Sequence, residues 1–483
     1  RAGTRIEETA RQVDLIEKMI RQVIPANQLT GIIDNEGIPY SGINTAYNDT
    51  GTVSSADGDI LVSLSEAHDP TDKFIRLIRL KLHQDFPDVT YWFPADDPVS
   101  QVLDFGLPAP IDVQITGTDT AANSLAANEL AQKIRSIAGA VDVRVEEPTN
   151  SPQLNINVDR TKASMLGINQ KEVSSTVLDA LSGSFQTGPN YWVDPKNGVS
   201  YSINGQVPQY QIDSLDALRN LPILGSNTGS FQILENVANI SRSETSMVVD
   251  HYNIAPVINI YANVDGKDLG YVSGQVNHLI QEASHKLPRG SFIDLRGQVL
   301  TMQDAFVGLG LGLIFSIILI YLLMVVNFHS WVDPLIIITA LPCALAGIVW
   351  MLFITGTTLS VPALMGAIMC MGVATSNSVL VVTFAKEQLD EHHDSYRAAL
   401  QAGYIRLRPV LMTALAMIIG MVPMALGLGE SGQQNAPLGR AVIGGLTFAT
   451  VATLVFVPSV FMTIRKKRRG AKSFGPAPAQ ANQ

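Results

Sequence analysis

Polar side chains interrupt one long apolar stretch of this sequence. The segment GVATSNS, residues 372–378, places Thr375, Ser376, Asn377 and Ser378 among aliphatic neighbours. Hydroxyl and amide groups in such a setting hydrogen-bond between helices for roughly 0.5–2 kcal/mol, but they supply no charge. Two roles therefore stay open for them: close packing of helices, or hydrogen bonding to a carboxylate or coordination of a cation.

Arg406 lies two residues before Arg408, just ahead of the next apolar stretch, which begins at Pro409. Its long side chain can either reach inward along apolar surface or anchor the chain at a membrane border. His392 and His393 are adjacent, and adjacent residues on a helix point in different directions, so they do not indicate a metal site. No metal ion and no cofactor are expected.

Five apolar stretches without Asp, Glu, Lys, Arg or His occupy the last third of the chain, at about residues 305–326, 334–354, 362–385, 409–428 and 441–464. Each reaches the roughly 20 residues with which an α-helix crosses the hydrocarbon layer. The sequence therefore predicts an α-helical membrane bundle of five spans within residues 303–469. The tail, residues 470–483, lacks a hydrophobic pattern and is predicted to be disordered.

The positions of the basic residues predict the orientation of the bundle. They follow the third and fifth spans, at Lys386, Arg397, Arg406, Arg408 and residues 465–469. The positive-inside rule places these groups in the cytoplasm, and five spans then place residues 1–303 outside it. Because the chain opens at Arg1 without a signal peptide, we expect an earlier membrane segment to export this region.

Composition excludes several classes of function. A formal charge of −10 and a pI of about 5.3 argue against nucleic acid as a partner. Both cysteines, Cys343 and Cys370, fall inside predicted spans, which excludes a disulfide framework. The chain has no phosphate-binding GxxxxGK[ST] loop and no readable nucleophile and base, so neither ATP-driven chemistry nor an enzyme is predicted.

The region before the spans is read as an α+β body of repeated strand–helix–strand units. These lie at residues 60–64, 71–84 and 88–93, at 111–116, 120–138 and 141–146, and at 256–263, 268–287 and 290–296. Such units predict small ferredoxin-like sandwiches. Residues 153–247 have short strands and turn clusters instead, and they are interpreted as an inserted subdomain.

Three strings carry a resemblance to a known family: LRPVLMTALAMIIGMVPMALGLGESGQQNAPLGRAVIGGL (407–446), FAKEQL (384–389) and TNSPQLNINVDRTKASMLGI (149–168). They resemble the resistance-nodulation-division efflux permeases, in the branch that exports hydrophobic and amphiphilic compounds. The chain resembles the C-terminal half of such a permease. The resemblance implies an incomplete porter subdomain at 1–107, a second porter subdomain at 108–152 and 248–297, and an inserted docking subdomain at 153–247, all periplasmic.

The resemblance also implies a function. It predicts a homotrimer in the bacterial inner membrane that exports small amphiphilic compounds by proton antiport, as in multidrug efflux. An adaptor protein, an outer-membrane channel and membrane lipids are the implied partners. Two alternatives stay open: a structural or regulatory half-pump in a mixed trimer, and an exporter of lipid-like molecules.

The implied site residues follow from the matching positions. The proton relay of the family places its arginine at Arg406 and its threonine at Thr413, whereas its lysine position holds Ser376, with Asn377 beside it. In the substrate region the candidates are Leu61, Trp92, Tyr40 and Tyr47. The alternative for each of these four is a packed core residue or an ordinary surface residue.

Overall fold

The computed structural model describes residues 3–38, 52–94, 102, 104, 106–225, 231–428 and 432–466. A mixed α/β region extends to residue 297, and helices follow it. The strands are β1 (Leu29–Glu36), β2 (Gly58–Leu64), β3 (Ile111–Thr116), β4 (Ala140–Val145), β5 (Ser151–Val158), β6 (Asn190–Val193), β7 (Ser200–Ile203), β8 (Pro222–Leu224), β9 (Phe231–Ile233), β10 (Ala238–Thr245), β11 (Asp250–Tyr252), β12 (Ala255–Val264) and β13 (Phe292–Arg296).

The helices of the mixed region are α1 (Ile6–Val23), α2 (Thr71–Asp85), α3 (Thr120–Arg135), α4 (Arg160–Met165), α5 (Gln170–Ser182), α6 (Leu215–Arg219), α7 (Leu234–Val237) and α8 (Leu269–Ser284). Those of the bundle are α9 (Gln298–Phe328), α10 (Val332–Ile338), α11 (Ala340–Ile354), α12 (Val361–His392), α13 (Ser395–Ala425), α14 (Gly432–Val451) and α15 (Val457–Lys466), with a π-helical turn at Ala452–Phe456.

The first lobe consists of α1, β1, β2, α2 and the segment that follows α2, through residue 94. Phe74, Ile78 and Leu82 recur every four residues on α2, so they form one face that packs against Ile16 and Ile20 of α1. The prediction of a strand at 88–93 is wrong. That segment joins no sheet, because its aromatic side chains pack on the apolar cluster of the lobe.

The second lobe is a five-stranded antiparallel sheet with α3 and α8 on one face. Its strand order is β13, β3, β12 and β4, and β11 also pairs with β12. Ile111, Val113 and Ile115 alternate along β3 and are fully buried against the two helices. The residues between them, Asp112 and Gln114, therefore lie on the opposite face of the sheet. The ferredoxin-like class and the division into subdomains stay predictions.

The third lobe, residues 151–245, begins and ends in one strand pair. β5 and β10 are antiparallel over eight residues, from Ser151 opposite Thr245 to Val158 opposite Ala238. Within the lobe, β6 and β7 form a hairpin on which Tyr191, Trp192 and Tyr201 are about half exposed. The pairing of β5 with β10 brings the two ends of this segment together beside the second lobe.

Five helical stretches in the described residues are long and apolar enough to cross a membrane: Gln298–Phe328, Val332–Ile354, Val361–His392, Ser395–Ala425 and Gln434–Arg465. They correspond to the five predicted spans in order, but their bounds differ. The fourth helix begins at Ser395 rather than near 409 and ends at Ala425. Residues 395–408, which the sequence placed between the third and fourth spans, are therefore helical, because a hydropathy pattern detects only the apolar part of a helix.

The second and fifth of these stretches cross at two glycines. A β-carbon on Gly347 would lie 2.5 Å from the carbonyl oxygen of Gly444, and one on Gly444 would lie 2.2 Å from Cβ of Met351. The backbones of α11 and α14 consequently approach each other more closely than any side chain permits. This crossing packs α14, which leads into the π-helical turn, tightly against α11.

Candidate functional site

Helix α12 carries the polar segment predicted from the sequence, and its polar groups divide between two faces. Thr375, Asn377 and Ser378 are buried. Ser376 lies on an exposed stripe with Met369, Gly372 and Leu380, which recur at helical spacing. The four adjacent polar residues therefore do not form one cluster, because consecutive residues on a helix point in different directions.

The buried polar groups of α12 are satisfied by neighbouring helices or by their own helix. Thr413 Oγ1 on α13 donates to Asn377 Oδ1 at 3.3 Å and to the carbonyl of Val410 at 3.0 Å. The Ser378 and Thr453 hydroxyls lie 3.0 Å apart. Thr453 belongs to the π-helical turn, and such turns are frequent at functional sites. The arrangement thus joins α12 to two other helices through uncharged groups.

Arg406 lies on α13, seven residues before Thr413, which is about 10 Å along a helix axis. Its guanidinium stacks over the ring of Phe384 at 4.9 Å from the centroid. Its Nε is buried and has no hydrogen-bond acceptor among the described residues. The structure therefore brings Thr413 and Asn377 together, places Ser376 on another face and leaves Arg406 about two turns away.

A second charged group in the bundle was missed by the sequence analysis. Asp333, on α10, is fully buried and forms an ion pair with Arg465 of α15. Lys386 of α12 lies 3.7 Å from the other carboxylate oxygen and also donates to the carbonyl of Phe328 at 3.3 Å. One carboxylate therefore connects three helices at the same end of the bundle. The available signal was the lone acid in WVDPL, directly before an apolar stretch.

Trp92, a substrate candidate, lies at the contact between the first and second lobes. The Arg144 guanidinium lies between two rings, 4.2 Å from the centroid of Trp92 and 5.0 Å from that of Tyr261. Burial lowers the pKa of Arg144 from its usual value. Trp92 thus contacts a protein cation in this structure. Leu61 lies on β2 and is about half exposed, and Tyr40 and Tyr47 lie outside the described residues.

The face of the second-lobe sheet that turns away from α3 and α8 carries buried acids. Asp112 accepts a hydrogen bond from Gln114 at 2.8 Å, and burial raises its pKa to about 7. Glu147 accepts from the backbone and side-chain nitrogens of Asn259 at 2.8 and 2.7 Å. Burial, with a smaller contribution from Asp250, raises the pKa of Glu147 to about 8. Both carboxyl groups can therefore exchange a proton near neutral pH.

These acids do not form a conventional metal site. Across the described ranges, no group of three His, Cys, Asp or Glu side chains is arranged to hold a metal ion. The sheet face instead offers carboxyl, amide and guanidinium groups side by side.

Comparisons with known proteins bear on what this arrangement does. A family model described as AcrB/AcrD/AcrF matches residues 1–465. The cobalt-zinc-cadmium resistance protein CzcA of Cupriavidus metallidurans is 30% identical over 383 residues, 78% of this chain and 35% of that protein. The nickel and cobalt resistance protein CnrA of the same organism is 30% identical over 382 residues, with the same coverage of each chain. This chain thus spans about a third of the length of these relatives.

A crystal structure of a heavy metal efflux pump has a TM-score of 0.80 with this chain, at 23% identity, covering 96% of this chain and 46% of that one. That similarity shows the fold. Taken together, these names do not support the predicted branch of hydrophobe and amphiphile exporters. Two of the three strings that carried the resemblance lie in and between the membrane helices, and the third, residues 149–168, contains β5.

Proposed function

Because this chain belongs to the AcrB/AcrD/AcrF family, we propose that the protein containing it exports metal cations by proton antiport. The family and the five candidate spans make it a multi-pass protein of the inner membrane. In the proposed topology residues 1–303 face the periplasm and the C-terminus faces the cytoplasm. The proposed assembly is a trimer with an adaptor and an outer-membrane channel.

The observation that carries the choice of cargo is the pair of buried acids in the second lobe. An acid whose pKa lies near 7 or 8 gives up its proton when a cation approaches, because the cation stabilises the carboxylate. Asp112 and Glu147 therefore suit the exchange of protons for cations in the periplasmic body. The names of the relatives, which mention cobalt, zinc, cadmium and nickel, favour divalent metal ions over amphiphiles.

Energy coupling is proposed to use Arg406, Thr413 and Asn377. The unpaired Nε of Arg406 calls for an acceptor from outside the described residues, and a carboxylate is the strongest partner for a guanidinium. Thr413 and Asn377 already hydrogen-bond to each other, so they hold α12 and α13 together about two helical turns from Arg406. Ser376 lies on an exposed stripe of α12, where another helix of the complete permease would pack.

Zinc transport by the purified complete permease in proteoliposomes tests this proposal. With an imposed proton gradient, a zinc-sensitive dye inside the vesicles reports uptake by the everted protein. Asp112→Asn and Glu147→Gln should each lower the initial rate, because an amide neither binds the exchanged proton nor attracts the cation. Asp294→Asn, an exposed acid on the same sheet, is the matched control and should transport normally. Equal rates in all four proteins would remove the assignment of these acids to the cargo path.

A structural or regulatory half-pump is the second candidate, and Ser376 favours it. The segment 372–378 of α12 holds no basic side chain, so this half offers fewer charges for coupling than the family implies. Thr413→Ala separates the two candidates, because it removes one hydrogen bond from the proposed relay. The proton-driven pump predicts a reduced transport rate, whereas the scaffold predicts an unchanged rate.

A further inference from the structure

The first and second lobes have separate apolar cores, and their described contact is polar. Phe74, Ile78 and Leu82 belong to a cluster confined to the first lobe, whereas the cluster under the second sheet contains residues of that lobe and Val299 of α9. Charged and amide side chains connect the lobes instead. Interfaces between domains that move relative to each other are typically polar, because polar contacts can be exchanged for water.

Arg79, on α2, is the centre of this contact. Its Nε and Nη2 each donate to one oxygen of Asp142 at 2.9 Å, and its Nη1 donates to Asp265 at 3.0 Å. One turn earlier on the same helix, Arg76 donates to Asp265 at 2.7 Å. Both carboxylates belong to the second lobe. Two parallel bonds between a guanidinium and a carboxylate fix the relative orientation of the groups that carry them.

An amide adds a second connection between the same lobes. The side-chain nitrogen of Asn263, on β12, donates to the carbonyl of Phe93 at 2.8 Å and to Asp142 at 2.9 Å. The Asp142 side chain is 1% exposed and the Arg79 side chain is 17% exposed. The network is thus shielded from water, so its loss would leave a buried carboxylate with fewer partners.

This network lies next to Trp92, so separation of the lobes would also break the contact of Trp92 with the second lobe. Trp92 precedes Phe93 and belongs to the first lobe, whereas Arg144 follows Asp142 on β4 of the second lobe. If the lobes separate at Arg79, Trp92 leaves the Arg144 guanidinium as well. The polar face of the second sheet, with Asp112 and Gln114, then becomes accessible from the side of the first lobe.

We propose that Arg79, Asp142, Asp265 and Asn263 form an interlobe latch that holds the two lobes together and opens to expose the polar face of the second sheet. The contacts of the latch are observed in the structure, and their opening is inferred from them. Its consequence for transport rests on the proposed function. A measurement of the distance between lobes therefore tests the latch, and a measurement of efflux tests the function separately.

Spin labels on the two lobes of the complete permease test the latch. Leu80→Cys on α2 and Leu125→Cys on α3 provide exposed sites, at 58% and 75% exposure, in a background without other cysteines, Cys343 and Cys370 included. Double electron–electron resonance gives the distance distribution in nanodiscs without cargo. Arg79→Ala should raise the ratio of long to short distances by about tenfold or more, because the paired carboxylate loses both of its bidentate bonds.

Matched variants make the result specific. Arg11→Ala removes an exposed ion pair within α1 and should leave the distances unchanged. Arg79→Lys keeps the positive charge but cannot form the two parallel hydrogen bonds of a guanidinium, so it should give an intermediate distance distribution. If Arg79→Ala does not accumulate, Asp265→Asn keeps the bidentate pair and should shift the distances in the same direction by a smaller amount. A folded Arg79 or Asp265 variant with the distance distribution of the parent would overturn the latch.

Discussion

Replacing Asp333 with asparagine tests whether one buried carboxylate holds three helices of the bundle together. The carboxylate is fully buried and faces Arg465, whose side chain is 13% exposed, and Lys386, whose side chain is 37% exposed. Asparagine keeps the shape and removes the charge. The variant therefore leaves a buried guanidinium without its counter-charge.

The expected loss of stability follows from the burial of the two ion pairs that Asp333 forms, with Arg465 and with Lys386. Removing one partner of a buried ion pair costs about 3–5 kcal/mol, because the remaining charge stays desolvated. The pair with Lys386 is more exposed and adds only about 0–1 kcal/mol. A loss near 3 kcal/mol in a helical domain of this size lowers the melting midpoint by about 6–12 °C.

The assay is the fraction of folded permease that remains after heating, measured by size-exclusion chromatography with fluorescence detection. Asp390→Asn, an exposed acid on α12, is the control for loss of one negative charge at the same end of the bundle. Adding Arg465→Leu and Lys386→Met to Asp333→Asn should recover part of the loss, because no charge then stays buried. A midpoint for Asp333→Asn within 2 °C, roughly the effect of 1 kcal/mol, of the control would refute the reasoning.

Three further predictions concern Arg406, Gly347 and Glu147. Arg406→Ala should abolish proton-driven zinc transport, whereas Arg397→Ala, at an exposed position of the same helix, should not. Gly347→Val should prevent stable folding because its side chain would overlap α14, and Gly310→Val, which has open space, should fold normally as judged by chromatographic profile. Between about pH 4.5 and pH 8, Glu147 is protonated in the folded state and ionised in the unfolded chain. The free energy of unfolding should therefore fall as the pH rises across that window. Melting midpoints of Glu147→Gln should depend less on pH.

The spans could be predicted from the sequence because hydrocarbon tolerates so few residue types. Their ends could not, since residues 395–408 are polar and extend α13 beyond its apolar part. The failed strand at 88–93 has a similar reason. The aromatic run in this segment indicates side chains that need an apolar or stacked environment, and Phe93 and Trp92 find it in the first-lobe cluster and over Arg144 without pairing in a sheet.

Site residues could be predicted from the sequence only where they lie close together on one helix or occupy positions that match the family. The positions of Thr413 and Asn377 came from the resemblance, and their hydrogen bond came from the crossing of α12 and α13. Asp333 was not identified because its partner Arg465 lies 132 residues away along the chain. The latch at Arg79 joins residues from two separate folding units, and no local pattern indicates which acid of the second lobe it meets.

Metal content of cells that express the complete permease tests the central proposal most directly. Inductively coupled plasma mass spectrometry gives cellular cobalt, zinc, cadmium and nickel, and ethidium fluorescence in the same cells reports export of an amphiphilic cation. The proposal predicts lower content of at least one of these metals in expressing cells, loss of that difference in Arg406→Ala, and unchanged ethidium. Lower ethidium with unchanged metal content would contradict the proposal and restore the amphiphile exporter predicted from the sequence.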